Sequence, residues 1–363
     1  MLKKYLKKNN YFKFINSPKK KRYRNNILFS FGYDKFNNMV IGPMSTHGGV
    51  KSVDKAEVNP NASELSLDIC SIVYDWVNEH SRLKVIEYPE FEGFWRHIHI
   101  KETQNNDFIV IFRFNDYEKW EFNWKLERGK FIKYLKSTSY KLGYNLKAIY
   151  YQICDGTKEP CRTDEFYRLY YEGELVQRML GYNFVIHPGC FFQVNTQLAK
   201  ILYSIVQSFY SKSKGDMLLD LCCGVGMFGI LMSKYFNEVY GIDNNPCNIE
   251  MVERNCQLNK VRNYKYYLGN VEDIVDKVLL KGRQYSVIVN PPRRGLYSDF
   301  IKYVNTKKEY VKDIVYVSCN MDSLKRDLGE FGNIWEVEKI IPLDQFPNTN
   351  HCEIIVKMKN KIF

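Results

Sequence analysis

From Phe184 onward, short apolar runs alternate with amphipathic stretches, and this rhythm restricts the fold more than any other feature of the sequence. Residues 217–222, 238–242, 264–268, 286–289 and 314–317 read as strands, with helical stretches between them. A helix capped by Asn195 and reaching about Tyr210 is expected ahead of the first strand. Strands that are apolar on both sides and joined by helices predict a parallel sheet covered on both faces, an α/β doubly wound architecture. The stretch 335–358 holds two strand-like runs with no helix between, which predicts an antiparallel pair at the end of the sheet.

The first half has a different grammar. Leu65, Ile69, Ile72, Val73 and Trp76 recur at helical spacing within 62–80, with Asn61 or Ser63 placed as cap. Residues 94–101 and 107–115 read as strands, 117–142 as a second helix and 146–154 as a third strand, which together predict a smaller α+β domain. The expected organisation is a basic arm over 1–24, the smaller α+β domain over 25–165 and the α/β domain over 166–363, with the hinge between Gly156 and Gly181.

With a net charge of +12, the chain attracts polyanions, so nucleic acid is the first partner to consider. The first 33 residues carry no acid and include Lys19, Lys20, Lys21, Arg22 and Arg24; they read as an RNA-facing arm, with Arg22 and Arg24 on phosphate. A frayed tail and an organellar targeting segment are the other readings of the same residues. No run approaches the roughly 18 apolar residues of a membrane span, so a cytoplasmic or nuclear protein without membrane contact is expected, and a monomer. The ten cysteines form no metal-binding spacing, and free thiols in a reducing compartment are expected; Cys154 and Cys161 are the one close, non-adjacent pair.

The strand ending near Cys222 runs into Asp220-Leu221-Cys222-Cys223-Gly224-Val225-Gly226-Met227. Glycine at 224 and 226 lets the backbone turn tightly and approach a ligand. About 20 residues on, Asp243 ends the second strand, where a carboxylate can accept from ribose hydroxyls. Asp-x-x-x-Gly-x-Gly after a strand resembles the S-adenosylmethionine loop of class I methyltransferases and departs from the dinucleotide fingerprint, the competing reading. Asp273 is expected at the end of the third strand, either near the adenine or as a helix cap.

Three polar groups distant in sequence converge if the sheet is built this way. Asn290 ends the fourth strand, Cys319 the fifth, and Glu353 begins the last, antiparallel one, so all three reach one edge. That set suits methylation of uracil at carbon 5. The carbon is a poor nucleophile until a thiolate adds at carbon 6, and a base must then remove the carbon 5 proton before the thiol leaves. Cys319 would act as nucleophile and would need a lowered pKa, to which the positive cofactor or Arg293 could contribute, and Glu353 would act as base.

Val315-Tyr316-Val317-Ser318-Cys319-Asn320, Arg326-Asp327, and Asp344-Gln345-Phe346-Pro347-Asn348-Thr349 with His351 and Glu353 resemble the signature segments of the tRNA/rRNA (uracil-5-)-methyltransferases. Phe191-Phe192-Gln193-Val194-Asn195, Arg22-Tyr23-Arg24-Asn25 and Trp95-Arg96 are similar to further segments of that family, so the resemblance spans nearly the whole chain. It implies Cys319 as nucleophile, Glu353 as proton acceptor, and S-adenosylmethionine contacts at Gln193, Cys222, Met227, Asp243 and Asn290. It further implies a target uridine flipped out of its RNA.

The family usually has Asp where this chain has Asn290, which removes a charge beside the uracil edge and predicts altered affinity or rate. Neither an extra N-terminal barrel nor an iron–sulfur cysteine set is discernible, and this favours tRNA, with the T-loop uridine as target, over rRNA. An rRNA or organellar-tRNA enzyme, or an RNA-binding or RNA-folding protein with weak or lost transfer, are the alternative readings.

Overall fold

The computed structural model describes residues 14–47, 50–115, 117–154, 165–211, 215–279 and 282–363. The chain divides into two compact units, one of residues 19–177 with 186–189, the other of residues 14–18, 178–185 and 190–363. The division falls later than the expected 165, and the supposed arm over 1–24 is shared between the two.

In the first unit β1 (Asn26–Tyr33), β2 (Met39–Gly42), β3 (Met44–His47) and β4 (Val50–Val53) precede α1 (Glu64–Glu79); β5 (Trp95–Glu102), β6 (Asp107–Asn115), α2 (Tyr117–Lys141), β7 (Asn145–Cys154) and β8 (Tyr167–Tyr171) follow. Six strands form one sheet in the order β2-β1-β5-β6-β7-β8, antiparallel except for β6 and β7, which the α2 crossover joins in parallel. Ser63 caps α1 by accepting from the Ser66 N–H, as one of the two expected caps. Trp76 of α1 and Trp124 and Phe131 of α2 share one core with Phe29, Phe31, Trp95, Phe112 and Phe114 of the sheet. The Trp95 and Phe131 rings stand edge to face at 5.4 Å.

Residues 19–24 do not form a free arm. The Arg22 guanidinium pairs with Glu64 at 3.2 Å and donates to the carbonyls of Asn59 and Ala62, while the Arg24 N–H donates to Asn61 O at 3.0 Å. A guanidinium directed at the start of α1 satisfies the backbone acceptors around it, so Arg22 is held against α1 and not extended in a free arm. Arg24 donates from Nε to Asn26 O at 3.4 Å, a long bond that fits no extended arm either. Residues 1–13 lie outside the described ones.

A hairpin of β9 (Val176–Met179) and β10 (Tyr182–Val185) leads on to α3 (Thr196–Tyr210), capped by Asn195 as expected. Then follow β11 (Gly215–Leu221), α4 (Met227–Met232), β12 (Phe236–Asp243), α5 (Pro246–Asn259), β13 (Tyr264–Leu268), α6 (Val271–Val278), β14 (Tyr285–Val289), α7 (Ser298–Thr306), β15 (Val311–Ser318), α8 (Met321–Phe331), β16 (Trp335–Leu343) and β17 (Glu353–Asn360). Seven strands make the expected sheet in the order β13-β12-β11-β14-β15-β17-β16, parallel except that β17 runs against both neighbours. The tail pair is therefore not simply appended to the sheet: the last strand inserts between β15 and β16. In β14 every residue is buried, as a strand covered on both faces requires.

Residues 14–18 are docked on this unit. Ile15 exchanges hydrogen bonds with Pro342 O and the Asp344 N–H, both at 2.9 Å, and the Asn195 amide donates to Ser17 Oγ at 3.0 Å. Cysteines 70, 190, 222, 223, 247, 256, 319 and 352 form no disulfide, with the sulfurs of Cys190 and Cys247 3.0 Å apart, but Cys154 is disulfide-bonded, against the expectation of free thiols throughout. Cys161 lies outside the described residues. Among the described residues no helix is long and apolar enough to cross a membrane.

Candidate active site

Strand order reverses between β11 and β14, and at such a switch point the carboxyl ends of the strands open a crevice. The turn leaving β11 is left-handed three times in five residues, at Cys222 (φ +55°), Gly224 (φ +54°) and Gly226 (φ +81°). A Cβ added at Gly224 would meet nothing within 4 Å, so the backbone there is bare to the crevice; at Gly226 it would lie 3.3 Å from Val252 and Tyr264. Cys222 holds this conformation with a side chain, at a cost of about 1 kcal/mol, and Met227 follows as the first residue of α4.

Asp243, at the end of β12, ties this turn down: Oδ2 accepts from the Gly224 N–H at 2.9 Å, and Oδ1 accepts from Asn245 N–H at 3.0 Å and Asn248 Nδ2 at 2.9 Å. A carboxylate has about four acceptor sites, so capacity for a ribose hydroxyl remains. Asp220, which opens the motif, is buried beneath the turn, where it accepts from the Gly229 N–H and the Tyr264 hydroxyl, each at 2.8 Å. Burial pushes its pKa up to about 7. Asn248 and Tyr264 have these roles without any signal in the motif itself; a polar side chain one turn into the helix after Asp243 is the trace that points to Asn248.

Gln193 is buried and accepts at Oε1 from Gln345 Nε2 at 3.0 Å, which joins two of the family-like segments. Asn290 follows β14, half-buried, with its N–H on Leu221 O at 3.3 Å. Asp273 is not at the end of the third strand. It sits exposed in the first turn of α6 and accepts from Asn270 Nδ2 at 3.1 Å, which fits the cap-like reading and not the adenine one. The acidic residue falls past β13 because the strand ends at Leu268.

The pairing of β15 with β17 sets Ser318 opposite Ile354, so Cys319, just past the end of β15, and Glu353, which begins β17, lie at the same edge of the sheet. Glu353 is 2% exposed, and burial raises its carboxyl to about 8. The half-buried Cys319 thiol is raised, first by burial and then by Glu353, against the opposing charge of the Arg293 guanidinium. Arg293 alone does not supply the lowered thiol pKa that the chemistry needs: one exposed guanidinium in high dielectric is outweighed by desolvation and a neighbouring carboxylate. Asn320 caps α8 by accepting from the Asp322 N–H at 2.9 Å and donates to Arg293 O at 3.0 Å, so the loops bearing Cys319 and Arg293 are bonded together.

A sheet in this order, with a bare glycine turn and an acid at the ends of its first two strands, has the architecture of the class I S-adenosylmethionine-dependent methyltransferases. The family model for tRNA (Uracil-5-)-methyltransferase matches residues 167–361, and the chain belongs to that family. An uncharacterized RNA methyltransferase of Clostridium acetobutylicum is 30% identical over 359 residues, 97% of this chain and 75% of that protein. The human tRNA (uracil-5-)-methyltransferase homolog A is 32% identical over 192 residues, 49% of this chain and 30% of that protein. In fold the chain is similar to Pyrococcus abyssi tRNA (uracil-54, C5)-methyltransferase, solved with S-adenosyl-L-homocysteine: TM-score 0.74, 24% identity, covering 95% of this chain and 78% of that one. Membership makes the reaction a transfer of methyl from S-adenosylmethionine to carbon 5 of a uracil in RNA. The donor fits the residues present, since the bare backbone at Gly224 and the Asp243 carboxylate lie on one turn.

Proposed function

We propose that the chain methylates the T-loop uridine of tRNA through a covalent bond from Cys319 Sγ to carbon 6 of the uracil, with Glu353 as the base. The observation that supports this reading is the β15–β17 pairing, which brings Cys319 and Glu353 to one edge of the sheet, near enough for the carboxyl to raise the thiol. Cys319 ionises with Arg293 as its cationic partner, and its sulfur attacks carbon 6, sending the ring electrons towards carbon 5. Bound S-adenosylmethionine supplies the electrophilic methyl group that carbon 5 takes up. Ionised Glu353 then accepts the proton from carbon 5, the returning electrons expel Sγ, and the thiolate is regenerated. A carboxyl with a pKa of about 8 is a stronger base than an ordinary glutamate, as proton abstraction from carbon needs.

Cys222, Gly224, Gly226, Met227 and Asp243 are the residues that would hold the donor, with Gln193 and Asn290 at its flanks. Asn290, being uncharged, would meet the uracil edge through its amide, which both donates and accepts. The test of substrate is direct: incubation with tRNA and rRNA transcripts, followed by nuclease digestion and mass spectrometry, should yield 5-methyluridine at the T-loop of tRNA. Methyl in rRNA alone would overturn the choice of RNA, and RNA binding without methyl in either would favour an RNA-folding role.

The donor site has its own check. Gly224→Ala should cost about 1 kcal/mol of stability through its left-handed backbone, yet weaken S-adenosylhomocysteine binding by roughly tenfold or more, because the new methyl enters the bare crevice. Calorimetric titration beside a melting curve separates the two effects. Unchanged affinity would place the nucleotide elsewhere.

A further inference from the structure

Seven residues beyond Cys319, α8 carries a charged pair that takes no part in the reaction as described. Asp327 is wholly buried, and the Arg326 side chain keeps 49% of its surface. Arg326 grips Asp327 Oδ1 twice, from Nε at 2.9 Å and Nη2 at 2.6 Å. Both residues also hold the turn that follows Asn290. Arg326 Nη2 donates to Arg294 O at 2.8 Å and Leu296 O at 3.1 Å. Asp327 Oδ2 accepts from the Leu296 N–H at 2.8 Å and from the Tyr316 hydroxyl at 2.6 Å.

The turn has little room to move. Gly295 closes it with an N–H bond to Pro292 O at 2.9 Å, and a Cβ there would lie 2.6 Å from Asp327 Oδ2 and 2.7 Å from Arg326 Nη2. With Asn320 on Arg293 O, the carbonyls of residues 293, 294 and 296 are all held by α8 or its cap. Pro292, Arg293 and Arg294 are themselves exposed, so no apolar packing fixes their backbone.

We propose that Arg326 and Asp327 are positioning residues that clamp the 291–296 turn onto α8 and thereby hold Arg293 beside the loop that carries Cys319. This rests on Cys319 being the nucleophile. Neither residue reaches the uracil in the scheme; each acts by removing conformational freedom that Arg293 would otherwise lose each time the thiolate forms. Tyr316, three residues before Cys319, and Asn320, just after it, fasten the same clamp to the strand that carries the thiol.

The test is the pH profile of Cys319 alkylation by iodoacetamide in the full chain, with the Cys319 peptide quantified by mass spectrometry. Arg326→Ala should move the midpoint upward by roughly half to one pH unit, a three- to tenfold slower reaction at neutral pH. Arg293→Ala should give the same shift, and the double variant no more than either alone. A wild-type midpoint in Arg326→Ala, or shifts that add in the double variant, would overturn the clamp. Should Arg326→Ala fail to fold, Arg326→Lys takes its place, since it keeps the charge and loses the fork: an upward shift supports the clamp and a wild-type midpoint overturns it. The titration needs no RNA, so a chain that alkylates as expected yet never bonds to RNA would refute the nucleophile assignment and leave the clamp's geometry tested separately.

Discussion

Cys319→Ala will give no covalent complex with RNA carrying 5-fluorouridine in the presence of S-adenosylmethionine, whereas the unsubstituted chain will give one that survives a denaturing gel. Fluorine at carbon 5 cannot leave as a proton, so the Glu353 step has nothing to accept and the Sγ–carbon 6 bond persists. Methyl transfer to ordinary RNA should fall by about 10⁴-fold or more, because loss of a nucleophile removes the whole covalent route. Folding should be nearly unaffected, since Cys319 is only half-buried at a strand end. An adduct in Cys319→Ala would move the nucleophile to another thiol, and Cys222 is a poor substitute, its pKa raised to about 12 by burial and by Asp243.

Glu353→Gln should do the reverse, trapping the covalent complex on unmodified uridine while turnover falls by roughly 10²- to 10⁴-fold. An amide can occupy the buried site but cannot take the proton from carbon 5. In the unsubstituted chain, turnover limited by this step should rise with pH and level off above about 8, where the carboxyl is ionised. The same group affects stability with the opposite sign. Its folded pKa of about 8 exceeds the ordinary 4.5, so between those values the folded state holds a proton that the unfolded state has lost, and stability falls as pH rises through that window. Glu353→Gln is released from that penalty and should be more stable than the parent near pH 8, by a margin on the order of 3 kcal/mol. Denaturant melts of both proteins at pH 5 and pH 8 read this directly; a margin that does not grow with pH would show that Glu353 is ionised without cost.

Much of the second unit was legible because its signals are local. An apolar run of four to eight residues, a glycine where φ must be positive, and Asn195 as cap are each decided within a few residues of chain, and the structure has them at those places. Asp273 went astray by a similar measure: a strand that ends at Leu268 leaves it a helical turn too far along, which no periodicity in so short a run resolves. The first unit was less readable. β2 to β4 and β8 are only four or five residues long, and β8 is an edge strand whose alternation is weakened by the exposed Tyr167 and Tyr171.

Sequence alone determined the alternating elements, the glycine turn with its acid, and the residue types needed for covalent chemistry at a uracil, because propensity, backbone freedom and reactivity belong to the residues themselves. Tertiary structure decided which tail strand lies against β15, and so that Glu353 and Cys319 reach one edge of the sheet; it also decided that the thiol is raised, that Arg22 is engaged by Glu64, and that Arg326 and Asp327 grip the turn bearing Arg293. Register, burial and the partner of a charge are sums over contacts between distant segments, and those sums exist only once the chain has closed on itself.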